Sequence, residues 1–221
     1  MTKSLHSICR WTFNPGKGGF VPGDIRPGWN NENFDTVKMI QLVKDKISIR
    51  MPDHVQLGIE LHYDTEVNEG SATAVADALI DSGLYLAMIT PGAHSHFAYG
   101  GISSLDPQER KAADEFGQRT LDLAYGPLKK AWHPDAEKAP SFVLWNGSFG
   151  YDLASIGIRQ MYLNLKQSVA NLCKFESKKG GKLFIGFEPK PNEGHPAMLI
   201  PTVASALIFW RKLEDEFGIS R

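Results

Sequence analysis

Two hydrophobic periods alternate five times along this chain, and that alternation restricts its fold more than any other feature. Short apolar runs occupy 5–11, 55–61, 84–90, 141–146 and 183–187. Longer segments at roughly 32–48, 71–82, 107–131, 152–178 and 199–217 carry apolar residues at helical spacing. Strand followed by helix, repeated, predicts βαβ units: a parallel sheet flanked by helices, joined by right-handed crossovers. An open five-stranded sheet satisfies this pattern. An eight-fold barrel needs about 250 residues, and five units do not close one. A last strand left at the edge keeps its backbone groups unpaired. The 221 residues are therefore expected to be one domain, 1–221, forming the amino-terminal part of something longer, inactive and poorly soluble by itself.

Several element boundaries are written in capping chemistry. Asp106-Pro107-Gln108-Glu109 predicts a helix start, with Asp106 accepting from the first free amides, Pro107 at a position that needs no N–H, and Glu109 placed for a capping box. Ser71 is expected to open the second helix and Gly83 to end it, where a left-handed residue is needed. In the fifth helix Ile200, Val203, Ala204, Leu207, Ile208 and Phe209 form a broad apolar face, with Arg211, Glu214 and Asp215 mostly outside it. Two long loops, 12–31 and 91–106, follow predicted strands at their carboxyl ends, where parallel α/β folds bind ligands.

Composition narrows the partners. A net charge of −1 gives no field that would draw in nucleic acid or an anionic membrane. No apolar stretch approaches the roughly 20 residues that span a bilayer, and Met1–His6 begins no signal peptide. Cys9 and Cys173 match no metal spacing and read as an isolated reduced pair. The cytoplasm is the expected location.

The strand ends carry the candidate chemistry. Glu188 and Lys190 stand on one side of the fifth strand, about 6–7 Å apart by alternation, with Pro189 loosening the pairing between them. A carboxylate so placed suits a divalent metal, and the amine suits a substrate oxygen; a salt-bridged strand terminus is the equal alternative. His62 closes the second strand two residues before Asp64, an arrangement that serves an oriented acid–base group. Glu60 shares their parity and is an alternative buried partner. Trp11 and Trp145, at the ends of the first and fourth strands, have the shape to wall a sugar ring, although either alone would be read as packing. Three signals carry less. Gly16-Lys17-Gly18-Gly19 lacks the phosphate-loop spacing. His94-Ser95-His96 has no third ligand nearby. Ser148 is not set in a nucleophile elbow.

Taken together, these stretches resemble the xylose isomerase family of metal-dependent aldose–ketose isomerases. Phe187-Glu188-Pro189-Lys190-Pro191-Asn192-Glu193 is similar to that family's fifth-strand motif, and Ile200 to Leu207 to the helix after it. Trp145 to Asp152 is similar to its fourth-strand tryptophan and glycine turn, Gly100 to Ser104 to its third loop, and Leu61 to Asp64 to its second-strand histidine. The resemblance implies a TIM (β/α)8-type barrel in its first five βα units. It implies an unphosphorylated sugar substrate, two divalent ions (Mg²⁺, Mn²⁺ or Co²⁺), and a homodimer or homotetramer. In that reading Glu188 is a metal ligand, Lys190 polarises the opened sugar's carbonyl, and His62 handles a proton in ring opening. Trp11 and Trp145 line the sugar, and hydride passes between C1 and C2. The family's histidine partner lies three residues on, where this chain has Thr65, so Asp64 is the expected substitute. The family's Arg-Glu is replaced by Ser148-Phe149, and its remaining metal ligands belong to strands six to eight. A sugar-binding relative without catalysis, or an epimerase that transfers a proton, are the alternatives.

Overall fold

The computed structural model describes residues 3–10, 13, 35–93, 96–145, 149, 156–190 and 198–219. All five expected strands form: β1 (Ser4–Ile8), β2 (Val55–His62), β3 (Tyr85–Thr90), β4 (Ser141–Trp145) and β5 (Phe184–Glu188). Hydrogen bonding orders them β1-β2-β3-β4-β5 in one sheet, and the first three neighbouring pairs are parallel. Helices α1 (Thr36–Leu42), α2 (Ala72–Asp81), α3 (Pro107–Tyr125), α4 (Ile156–Lys179) and α5 (Val203–Phe217) follow the strands in turn. Sequential strand order with a helix after every strand is the α/β repeat of a TIM-type barrel, five units of it. Contacts gather into two compact units, Met1–Thr90 with Thr120–Phe142 and Pro91–Arg119 with Val143–Arg221.

In the first unit the strand pattern gives the core directly. Ile59 and Leu61 of β2, Leu86 and Ile89 of β3, and Leu79 of α2 are all fully buried. The register between β2 and β3 slips by one residue after Ile59. Gly58 permits this: a Cβ there would lie 2.7 Å from that of Ala87, the extra residue of β3. Such a bulge bends the strand that carries it and re-aims the side chains that come after it, here Met88 and Thr90. Asp35 caps α1, accepting from the Lys38 amide at 2.7 Å. The first helix is shorter than its periodicity predicts, because its ladder widens into a π-turn at Val43–Ile47 and then tightens into a 3-10 turn at Ser48–Arg50. Gly83 ends the second helical segment at φ +66°. Ser71 does not cap α2 with its side chain. Asn68 organises that entry, its Oδ1 accepting from the Gly70 and Ser71 amides at 3.0 and 3.2 Å.

In the second unit Asp106 accepts from the Gln108 amide at 2.9 Å, as the capping pattern predicts. Glu109 does not turn back to complete a box. Its carboxylate accepts from the backbone amides of Tyr99 (3.1 Å) and Gly101 (2.8 Å), so it orders the preceding loop rather than the helix. Within that loop His96 packs on Phe116, ring centroids 4.7 Å apart; His94 and Ser95 lie outside the described residues.

Helix α5 corrects a further expectation. Its buried face is Ala206, Phe209, Trp210 and Leu213, whereas Val203 (67% exposed), Leu207 (56%) and Ile208 (58%) point outward. Phe187 explains the choice: its ring meets Phe209 edge-on at 5.1 Å and Trp210 at 5.2 Å. Edge-on and tilted contacts with Phe187 hold both rings of that face inward. Thr202 and Ser205 form the capping box at the start of this helix.

Candidate functional site

The fifth strand sorts its side chains by alternation. Phe187 enters the aromatic cluster with Phe149, 5.7 Å away edge-on, as well as with Phe209 and Trp210. Glu188 and Lys190 are bonded to each other: the Lys190 ammonium stands 2.8 Å from Glu188 Oε1, with 24% and 44% of the two side chains exposed. The same ammonium lies 5.9 Å from the centre of the Trp145 ring. Three of the residues singled out in the sequence are thus brought together in the second unit: a carboxylate, a cation and an aromatic plate from two strand ends. A cation over a π-face is attracted by it, so Trp145 and Glu188 together fix where the ammonium sits. This is also the salt-bridged terminus weighed above, and its partial exposure keeps the ammonium accessible.

In the first unit the second strand ends in a tight turn. The Glu66 and Val67 amides both donate to the His62 carbonyl, and Asp64 takes φ +66°. Two further bonds hold the turn: Thr36 Oγ1 donates to the Glu66 carbonyl at 2.6 Å, and Arg10 donates to the Thr65 carbonyl at 3.4 Å. The result is a return of the chain that places the Glu66 carboxylate against His62. Oε2 of Glu66 accepts from the His62 amide at 2.8 Å and stands 3.1 Å from its Nδ1. Glu60 Oε1 lies 4.0 Å from Nε2 on the other edge of the ring. Nδ1 is thus the ring nitrogen that faces the carboxylate, and Nε2 is the one left for exchange. Glu66 is almost entirely buried, and its Oε1 has no hydrogen-bond partner among the described residues.

The acid against Nδ1 is therefore Glu66, two positions beyond the expected Asp64, which is exposed at the head of the turn. Strand parity pointed to Asp64, but the strand ends at His62, and a turn brings back the residue four positions on. His62 followed by an acid at i+4 across a polar turn was the available signal. Trp11 lies outside the described residues, as do Asn192 and Glu193.

Of the metal set implied by the resemblance, the described residues supply only Glu188. A hard divalent ion takes about six oxygen donors, whereas Glu188 offers one carboxylate already neutralised by an ammonium. No group of three His, Cys, Asp or Glu able to hold a metal occurs among the described residues. No helix among them is long and apolar enough to cross a membrane.

No family model matches the sequence. Solved structures do match its backbone. D-Allulose 3-epimerase from Methylomonas sp., in complex with D-allulose, superposes with a TM-score of 0.58 at 14% identity, over 96% of this chain and 59% of that one. D-Psicose 3-epimerase from Clostridium cellulolyticum H10, with D-tagatose, gives 0.58 at 15%, over 95% and 60%. The 3-keto-D-glucoside 4-epimerase YcjR from E. coli gives 0.52 at 16%, over 86% and 63%. At such identities the likeness is one of fold. The chain spans between 50% and 63% of the first structures it matches, and these neighbours are sugar epimerases.

Proposed function

We propose that this protein is an isomerase-class enzyme acting on an unphosphorylated sugar at the carbon beside its carbonyl, with epimerisation by proton transfer as the reaction. The observation that carries this reading is the Glu188–Lys190 pair beneath Trp145, on a backbone that follows two ketose 3-epimerases over 95% or more of its length. An aromatic plate suits the C–H face of a sugar. The Lys190 ammonium donates to the carbonyl oxygen and draws charge from the adjacent carbon, making its C–H more acidic. Glu188, 2.8 Å from that ammonium, takes the proton as general base. Lys190 then stabilises the enediolate oxygen where negative charge develops. Water then delivers a proton to the opposite face of the now planar carbon and inverts it, and Glu188 releases the proton it removed to solvent. His62, oriented through Nδ1 by Glu66, is assigned to proton exchange in opening the sugar ring, with Nε2 as the exchanging atom. Glu66 thus takes the part expected of Asp64.

The second reading, a metal-dependent aldose–ketose isomerase that shifts hydride between C1 and C2, is favoured by the Phe187-to-Glu193 motif. It calls for carboxylates beyond Glu188. To decide, the full-length protein is incubated with D-allulose, D-tagatose, D-fructose and D-xylose, each with Mg²⁺, Mn²⁺ or Co²⁺ and without metal, and the products are resolved by chromatography. Interconversion of ketose epimers supports the first reading. Formation of an aldose from a ketose, without epimers, replaces it with the second. Sugar binding without turnover under every condition overturns both in favour of a binding protein.

A further inference from the structure

Away from the strand ends, a groove of about 470 Å³ runs between α4 and α5. Three cations line it, Arg159, Lys166 and Lys212, and its walls are Ile158, Leu163 and Leu199 together with Tyr162. None of these residues belongs to the candidate site above. Like charges gathered on one concave surface repel one another, so their placement calls for a counter-charge. The two helices bring one to it. Glu216 bonds the Lys166 ammonium at 2.6 Å, and the Lys166 side chain is only 6% exposed, a burial that demands such a partner.

Glu216 leaves two positive charges over. Arg159 forms no ion pair among the described residues. Lys212 is held over the Tyr162 ring, 5.9 Å from its centre, a contact that places the charge without neutralising it. Tyr162 does not offset it either, because burial and the nearby Glu216 both push its phenol above the usual range and keep it protonated. The volume lies within the range of small-molecule sites, which are mostly apolar with a few fixed polar groups. Leucine and isoleucine walls beside two uncompensated cations match an amphiphilic anion.

We infer that the α4–α5 groove binds a small organic anion, its carboxylate or phosphate head engaged by Arg159 and Lys212 and its apolar body resting on Leu163 and Leu199. Lys166, its ammonium matched by Glu216, also lines the groove. Carboxylate and phosphate heads share this chemistry and are separated by the probes. The protein, with its leucine and isoleucine methyls labelled for NMR, is titrated with phenyl phosphate, benzoate and phenol. The expected result is saturable shifts at the Leu163 and Leu199 methyls with at least one of the two anions and none with phenol. The tighter of the two anions identifies the head. Arg159→Ala and Lys212→Ala alter exposed side chains and leave the buried helix faces intact. Each should weaken binding about tenfold, the loss of one charge-assisted contact. The assignment is overturned if neither anion shifts those methyls, if phenol binds as tightly as the anions, or if neither variant changes the affinity.

Discussion

Replacing Lys190 with methionine separates a catalytic cation from a structural one. Methionine keeps the length and apolar stem of the side chain and removes its charge. The structure limits what that costs in stability. The ion pair with Glu188 is short, at 2.8 Å, but 24% and 44% of the two side chains are exposed, and such pairs contribute about 0–1 kcal/mol. The contact with the Trp145 ring, at 5.9 Å, adds about 0.5–1 kcal/mol. A loss of about 0.5–2 kcal/mol leaves a domain of ordinary stability, roughly 5–15 kcal/mol, folded. The effect on chemistry is larger. A preformed donor aimed at a developing oxyanion contributes about 10²–10³ in rate, or about 2.7–4 kcal/mol. Urea unfolding followed by circular dichroism gives the first quantity and sugar turnover by chromatography the second. Lys190→Met that unfolds with a loss well beyond about 2 kcal/mol, or that turns over within about threefold of the parent, would refute the reasoning. The first result would make Lys190 a structural tie, and the second would remove it from the reaction.

Three other perturbations test separate parts of the account. Glu66→Ala deletes the acceptor of both the His62 amide and Nδ1 and should destabilise the protein by about 1–3 kcal/mol in urea unfolding; Glu66→Gln should keep most of that stability while lowering turnover, since an amide can present its N–H instead of an acceptor to the ring. Asp114 is held above the usual carboxylate range chiefly by burial, against the lowering effects of Ser168, Arg110 and Asn171. Its folded form thus binds the proton more tightly than the unfolded chain, so its contribution to stability grows as pH falls through the window above 3.8 and is lost at neutral pH. Asp114→Asn should accordingly raise the melting temperature at pH 7 and flatten its dependence across that window. Leu207→Glu changes an exposed position of α5 and should alter unfolding by no more than about 0.5 kcal/mol; a large loss would show the outward face to be packed.

The strand–helix order was legible because each apolar run keeps one period from end to end. β2 and β3 match their runs to within a residue or so, as does α4 at its carboxyl end. What escaped the reading depended on partners remote in sequence. Phe209 belongs to the apolar face expected of α5 and is buried, but Trp210 joins it against Phe187 of the preceding strand while Val203, Leu207 and Ile208 turn outward. Glu109 has the spacing of a capping box, but the loop before it offers two free amides and takes the carboxylate. At the strand ends, alternation placed Glu188 and Lys190 on one side, and Trp145 was singled out by its position at the end of β4. Glu66 was not, because parity ceases to apply once β2 turns after His62, and the geometry of the turn selects the acid.

The most direct test of proton transfer at the carbon beside the carbonyl is turnover in D₂O, with the product examined by mass spectrometry and NMR. The account predicts a product carrying one deuterium from solvent at that carbon, acquired as the enediolate is reprotonated. Product formed with no solvent deuterium would mean that hydrogen moved within the sugar, and Glu188 would not be the base.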